Sequence, residues 1–387
     1  MTSLVFLHSI LPWKTYELTT EKYSGWSGVL RIWVYEGWAS GITSWLNRCA
    51  SSFEKSNEGV YVQIQAADIS AIREICENGM IPPDIIIFPY GSIEVPEHLV
   101  PVFLTEKLRP HLRDSGMYEG IPYACPIAMG GYAWVYNRDL ISSIPFTWEG
   151  SGASISIPLE NDTNHWHTAV LFLCSDMVNF KNQYNSEPYS MDLDLGFSLD
   201  NEAAYESSEA PSFNQDIIYC RLPEDLSFSD DAFSDFLSGK VSSTPVTPQQ
   251  IKRLINLSDQ GKSPEWKIQV SGSMSYTDQI MYASVVDRKE NSEKQALCSE
   301  FISHLLSEDC QSVLFRTGAF SVTNSYLGYD NHDPLRIIEE AMRNRPVYAE
   351  KAFSKQHHAS IEFIVRKFYE YGGYSPELDS EIRRILH

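Results

Sequence analysis

The 387-residue chain lacks an excess of basic residues and a long apolar run. It has 30 Lys and Arg against 51 Asp and Glu, which gives a formal charge of -21. Nucleic acids and anionic membrane surfaces would repel such a chain, so neither is expected as a partner. No apolar run after the N-terminus approaches the roughly 20 residues that a membrane span needs.

The chain also lacks closely spaced cysteine pairs. None of its seven cysteines stands in a Cys-x-x-Cys pair, so a zinc site or a thioredoxin-like motif is not indicated. A disulfide framework is not expected in so large a chain, and an odd count leaves at least one thiol outside any intramolecular disulfide. Several of the cysteines fall at apolar positions, where cysteine behaves as a small hydrophobe. The seven cysteines are Cys49, Cys76, Cys125, Cys174, Cys220, Cys298 and Cys310.

Familiar catalytic motifs are missing as well. The sequence has no Gly-x-Ser-x-Gly, Walker A, Gly-x-Gly-x-x-Gly or His-Glu-x-x-His segment. Its scattered carboxylates do not pair as a glycosidase dyad from spacing alone. His165 and His167 would face one side of a strand, but no Cys or acidic cluster adjoins them, so no metal is predicted. We therefore expect a binding protein without a cofactor rather than an enzyme.

Residues 1–27 form an N-terminal segment of uncertain purpose. The apolar run from Leu4 to Leu11 is short, no basic residue precedes it, and no clear cleavage site follows. The segment is interpreted either as the remnant of an export signal or as a docked chain end.

Strand and helix patterns alternate from residue 30 onward. Residues 30–35 and 85–88 are apolar runs typical of buried strands, and residues 60–64 alternate. Apolar positions recur at helical spacing over 42–53, with Ser40 or Thr43 as possible caps, and again over 69–76. This order predicts βαβ units and a parallel sheet, hence an α/β fold.

Ligands of such sheets bind beyond the carboxyl ends of the strands. The corresponding loops are residues 36–40, 66–70 and 89–94. Trp38 and Tyr90 lie in these loops and offer flat aromatic faces, while Glu36 and Asp68 offer hydrogen-bond acceptors. A carbohydrate needs both kinds of group, so these four residues are candidate ligand contacts.

Four ordered segments carry a resemblance to a known family. They are Leu30-Arg31-Ile32-Trp33 with Phe53-Glu54-Lys55 and Gly59-Val60-Tyr61-Val62; Asn78-Gly79 with Pro83-Asp84-Ile85-Ile86; Ile121-Pro122-Tyr123-Ala124 with Tyr136-Asn137-Arg138-Asp139-Leu140; and Phe236 to Val241 with Ala296 to Gln311 and Gly318-Ala319-Phe320-Ser321-Val322. Together they resemble the extracellular solute-binding proteins of ABC importers, the carbohydrate-type family that includes maltose-binding protein. The likeness runs from about residue 28 to about residue 325.

The resemblance implies a two-lobed periplasmic-binding-protein-like α/β fold with a hinge. Residues 28–130 plus 278–322 are assigned to the first lobe, and residues 131–277 plus 323–387 to the second. The chain is then expected to cross between lobes near residues 129–133, 276–284 and 320–325, where Gly130-Gly131 allows bending.

The resemblance also implies a function. It is reversible binding of a sugar or oligosaccharide between the lobes of a monomer, for delivery to ABC permease subunits. The protein is then expected at the extracellular face or in the periplasm of a bacterium. Trp166 falls where the second lobe of the family contributes ligand contacts, so it joins the candidate set.

The sequence departs from the family at three places. No lipobox is visible, which leaves a lipid anchor undecided. Residues 242–248 stand where the family has a glycine and an aromatic residue, and the acidic stretch 187–231 matches no family segment. Three alternatives stay open: a binding protein for a polyamine or other cation, a carbohydrate-active enzyme, and an interaction protein that kept the fold without its cleft.

Overall fold

The computed structural model describes most of the chain before residue 354. The described residues are 26–39, 41–78, 83–141, 154–158, 226–229, 231–270, 275–288, 292–325, 329, 333–344 and 347–353. The N-terminal segment, most of the acidic stretch and residues 354–387 lie outside them.

Six strands form the first sheet. They are β1 (Gly28–Val34), β2 (Val60–Ala66), β3 (Ile85–Pro89), β4 (Leu99–Val100), β7 (Cys125–Met129) and β14 (Ile280–Val286). Their order is β2-β1-β3-β14-β4, and β7 also pairs with β14. Strands β1, β2 and β3 are parallel, and β14 runs antiparallel to its neighbours. Every residue of β14 is buried, because the strand pairs with three others at the middle of the sheet.

Four helices accompany this sheet. They are α1 (Ile42–Ser56), α2 (Ile69–Asn78), α5 (Ser292–Leu305) and α6 (Glu308–Gln311). Helix α1 packs on β2 and on α5, α2 packs on β3, and α5 packs on β14. Short 3-10 turns cover Glu36–Trp38, Thr105–Lys107, Pro110–Leu112 and Leu314–Thr317, and a hairpin joins β5 (Met117–Tyr118) to β6 (Ile121–Pro122). The predicted βαβ order is confirmed.

The cap of α1 differs from both residues suggested by the sequence. Gly41 is the N-cap at φ 90°, and no side chain caps the helix. Thr43 instead donates its hydroxyl to Glu36 Oε1 at 2.7 Å. A left-handed cap conformation favours glycine, which explains why neither Ser40 nor Thr43 is needed there.

The second sheet has the order β10-β9-β11-β8-β12. Its strands are β8 (Ala133–Asn137), β9 (Ile155–Pro158), β10 (Leu226–Ser229), β11 (Ser243–Val246) and β12 (Trp266–Gln269). Helix α3 (Ala232–Leu237) packs against this sheet, and α4 (Pro248–Asp259) starts with a capping box between Thr247 and Gln250. Two separate sheets with flanking helices confirm the expected two-lobed α/β class.

The last described part of the chain contacts both sheets. Helix α7 (Pro334–Asn344) packs against α4 beside the second sheet, and β15 (Val347–Ala349) pairs with β13 (Ser275–Thr277). The Ala352 backbone then donates to the Ser115 carbonyl and accepts a bond from the Gly91 amide, and Tyr282 donates its hydroxyl to the Glu350 carbonyl at 2.6 Å. These last residues therefore contact β14 and the loops beside the first sheet.

Three chain segments run side by side between the sheets. Met129 and Phe320 exchange two backbone hydrogen bonds, and Gly130 donates to the Gln279 carbonyl. Met129, Ala133 and Ile280 have no exposed surface, so the buried apolar side chains of both lobes form one connected set through the crossings.

The glycine pair at the first crossing has a packing reason. Neither Gly130 nor Gly131 has a positive φ. A Cβ on Gly130 would lie 2.5 Å from Gln279 Oε1, and one on Gly131 would lie 3.1 Å from Met342 Sδ. Close approach of neighbouring side chains, rather than unusual backbone freedom, therefore requires glycine here.

Candidate ligand-binding site

One edge of the first sheet collects the predicted strand-end loops. Strands β1, β2 and β3 are parallel and end at Val34, Ala66 and Pro89. Strand β7 is antiparallel to β14, as β3 is, so β7 also ends at this edge, next to the crossing to the second sheet. Parallel α/β sheets bind ligands at such an edge, and here it adjoins the junction of the two lobes.

Glu36 begins the 3-10 turn that follows β1. Its side chain is exposed, and the Thr43 hydroxyl on α1 donates a hydrogen bond to one of its carboxylate oxygens. The Tyr35 ring folds over Gly37, so that an added Cβ would lie 2.3 Å from the Tyr35 hydroxyl and the ring would have to turn away. Trp38 ends the same turn, and its side chain lies outside the described part of the structure.

Asp68 lies between β2 and α2 and has a clear structural role. Its Oδ1 accepts bonds from the Ala71 amide and the Ser70 hydroxyl, each at 2.7 Å. The hydrogen bond from the Ala71 backbone N–H, followed by the one from the Ser70 hydroxyl, lowers the pKa of Asp68. The carboxylate thus caps the first turn of α2, although the sequence offered it as a ligand acceptor.

Tyr90 follows β3 directly. It is partly buried, packs against the core, and its amide donates to the Ile280 carbonyl of β14 at 3.2 Å. Its phenol is near enough to the Tyr132 hydroxyl to raise the pKa of that group. Tyr90 therefore contacts the crossings, through the Ile280 carbonyl and the neighbourhood of Tyr132.

A polar group at the crossings was missed by sequence reasoning. Tyr132 donates its hydroxyl to Asp278 Oδ1 at 2.8 Å and accepts a bond from Gln279 Nε2 at 3.3 Å. Burial, followed by the charge of Asp278, raises the pKa of Tyr132 well above its ordinary value, so the hydroxyl stays protonated. The only sequence signal was the position of Tyr132 after a glycine pair at an expected crossing.

The remaining predictions concern parts outside the described residues. Trp166, His165 and His167 lie there, so the second-lobe contact is untested. Among residues that the structure does describe, no group of three His, Cys, Asp or Glu is arranged to hold a metal ion. In that same part of the chain, no helix combines the length and the apolar character that crossing a membrane requires.

Comparison with known proteins places the fold among sugar-binding proteins. The chain is similar to the GacH receptor of Streptomyces glaucescens, solved with acarbose, at 15% identity and a TM-score of 0.58, over 93% of this chain and 98% of that one. It is also similar to the maltodextrin-binding protein MalE1 of L. casei, at 12% identity and a TM-score of 0.59, over 94% and 100% of the two chains.

A third similar structure is the sugar-binding protein MalE of Xanthomonas citri. It shares 13% identity and a TM-score of 0.59, over 93% of this chain and 97% of that one. No protein-family model and no curated protein sequence matches the chain. The fold is therefore that of ABC substrate-binding proteins for sugars, as the sequence resemblance implied.

Proposed function

We propose that the protein reversibly binds a carbohydrate between its two lobes. The observation that carries this proposal is the likeness of nearly the whole chain to structures of sugar-binding ABC substrate-binding proteins. The strand-end edge beside the crossings supports it, since Tyr90 and the Glu36–Trp38 turn both follow strands that end at this edge.

The proposed contacts divide by chemistry. Trp38, Tyr90 and Trp166 stack on the apolar faces of sugar rings, and Glu36 accepts hydrogen bonds from hydroxyl groups. Thr43 supports this role for Glu36 by fixing the carboxylate in place. Asp68 Oδ1 already accepts the bonds that cap α2, so fewer of its lone pairs can bind a ligand, and it is the weakest of the five candidate contacts.

Delivery to the permease subunits of an ABC importer completes the proposed function. The protein would act as a monomer at the extracellular face or in the periplasm. The two-lobed architecture supports this role, because a protein that closes on its ligand differs in shape from the open, empty form, and a permease can recognise that difference.

A thermal-shift screen tests the ligand class. The purified chain is melted with maltose, maltotriose, acarbose, spermidine and zinc, each over a concentration series. A carbohydrate that binds only the folded state raises the melting temperature steadily as its concentration passes the Kd. Stabilisation by spermidine alone would replace the proposal with the polyamine alternative, which the charge of -21 favours.

Incubation with the ligand found in this screen tests for catalysis. We expect the carbohydrate to be recovered unchanged, as judged by chromatography after long incubation at high protein concentration. Steady product release that disappears when one carboxylate is mutated would instead establish a carbohydrate-active enzyme.

A further inference from the structure

Two buried cysteines of the first lobe lie in contact although they are far apart in sequence. Cys49 is on α1 and Cys310 is on α6, and their side chains are 1% and 2% exposed. Their interaction with each other is the chief cause that raises the pKa of Cys49 and lowers that of Cys310, so the two thiols are close neighbours. Both are free in this structure.

A second contact joins the same two segments. Trp45, one turn before Cys49 on α1, donates its indole N–H to the Cys310 carbonyl at 2.8 Å. Trp45 and Cys49 lie four residues apart and so share one face of α1, and this face contacts Cys310.

We propose that Cys49 and Cys310 are a disulfide-forming pair that links α1 to α6 when the chain meets a disulfide oxidant. The proposal depends on the proposed function only for the location, because an exported protein meets such oxidants outside the cytoplasm. A single bridge of this kind needs no disulfide framework and leaves the other five of the seven cysteines reduced.

The chemistry is two successive thiol–disulfide exchanges. One of the two cysteines, exposed when the structure opens, loses its proton, attacks the oxidant disulfide and releases one thiol of the oxidant. The other cysteine then loses its proton, attacks the sulfur of the first and displaces the second thiol, so two electrons pass to the oxidant.

Oxidised glutathione serves as the probe. The reduced full-length protein is incubated with it at a temperature or urea concentration that opens the structure briefly, since both thiols are buried. We expect free thiols to fall from seven to five, with the loss of two hydrogen masses. A tryptic map should link the peptides of Cys49 and Cys310, and linkage of another pair, or seven remaining thiols, would refute the proposal.

The bridge should also change thermal stability. It would close a loop of more than 200 residues, so the oxidised protein should melt about 5 °C or more above the reduced one. This difference should vanish in Cys49→Ser and persist in Cys298→Ser, a matched variant because Cys298 is equally buried on α5. If Cys49→Ser does not fold, the peptide map of the unmutated protein still decides the question. The thiol count and the peptide map do not depend on any carbohydrate. A negative ligand screen would therefore refute the proposed function without refuting the disulfide, and a negative peptide map would do the reverse.

Discussion

At the residue scale, His111 makes stability depend on pH. Burial, followed by the nearby charge of Arg109, lowers the pKa of His111 to about 4, and its Nε2 is buried without a hydrogen-bond partner among the described residues. The unfolded chain takes up this proton near pH 6.5, its ordinary value. The stability that the neutral ring supplies is therefore complete above that pH and is lost as the pH falls towards 4.

His111→Gln should remove this dependence. The loss between pH 6.5 and 4 amounts to about 3 kcal/mol at most, from the size of the pKa change. Urea unfolding of both proteins at several pH values measures it as a difference, in which the other titrating groups cancel. Parallel stability profiles for the two proteins would show that His111 is not buried as described.

Tyr90 provides the residue-scale test of the site. Tyr90→Ala should weaken carbohydrate binding about tenfold or more, because a stacked ring contributes about 1 kcal/mol or more beyond its area. Tyr90→Phe keeps the ring and is the matched control, so it should retain most of the affinity. Titration calorimetry with the ligand from the thermal screen gives both values. Unchanged affinity in Tyr90→Ala would remove this residue from the proposed site.

The sequence could locate this edge but not its tertiary contacts. Glu36, Asp68 and Tyr90 were predicted as ligand contacts because the ends of parallel strands share an edge, which follows from periodicity alone. That the Asp68 carboxylate is used as a helix cap depends on local backbone geometry. The pairing of Tyr132 with Asp278 joins residues 146 positions apart, so no local pattern could reveal it.

At the element scale, Asp84, which directly precedes β3, binds three partners from different parts of the first lobe. It is 1% exposed, accepts the Arg31 amide at 2.8 Å, and pairs with Arg288 at 3.1 Å and Lys294 at 2.7 Å. These partners lie on β1, just after β14 and on α5. The Pro83-Asp84 segment that contributed to the family resemblance therefore has a structural role here.

Asp84→Asn should destabilise the fold by about 3 kcal/mol, because it leaves two cations without their buried partner. The matched control is Glu265→Gln, which breaks the exposed pair of Glu265 with Arg138. That change should alter stability by about 0.5 kcal/mol or less. Urea unfolding of both variants measures the contrast, and similar values for the two would contradict the role given to Asp84.

Element prediction succeeded where periodicity was strong. The helix expected to end at Asn78-Gly79 is α2, which ends at Asn78, and the apolar run 85–88 lies within β3. Strand β14 was recognised only as a crossing, because an apolar run far along the chain does not reveal which strands it joins. The position of Glu350 and Ala352 beside the first sheet likewise depends on tertiary contacts.

At the scale of the whole molecule, the proposed function predicts a change of shape. Closure of two lobes on a ligand should reduce the radius of gyration measured by small-angle X-ray scattering. The comparison uses the carbohydrate from the thermal screen at saturation and a sugar that gives no thermal shift as control. Ligand binding with an unchanged radius of gyration would show that the lobes do not move against each other.

The position of β14 also determines the order in which the lobes acquire structure during synthesis. The second sheet uses strands between residues 133 and 269, so its last strand is synthesised before β14 begins at Ile280. The first sheet begins earlier in the chain yet lacks its middle strand until residue 286 has been made. Nascent chains that end at residue 275 and continue into a linker long enough to span the ribosomal exit tunnel should therefore resist proteolysis in the second sheet and be cleaved in the first. Chains that end at residue 325 with the same linker should resist in both, so the part of the protein made first becomes ordered last.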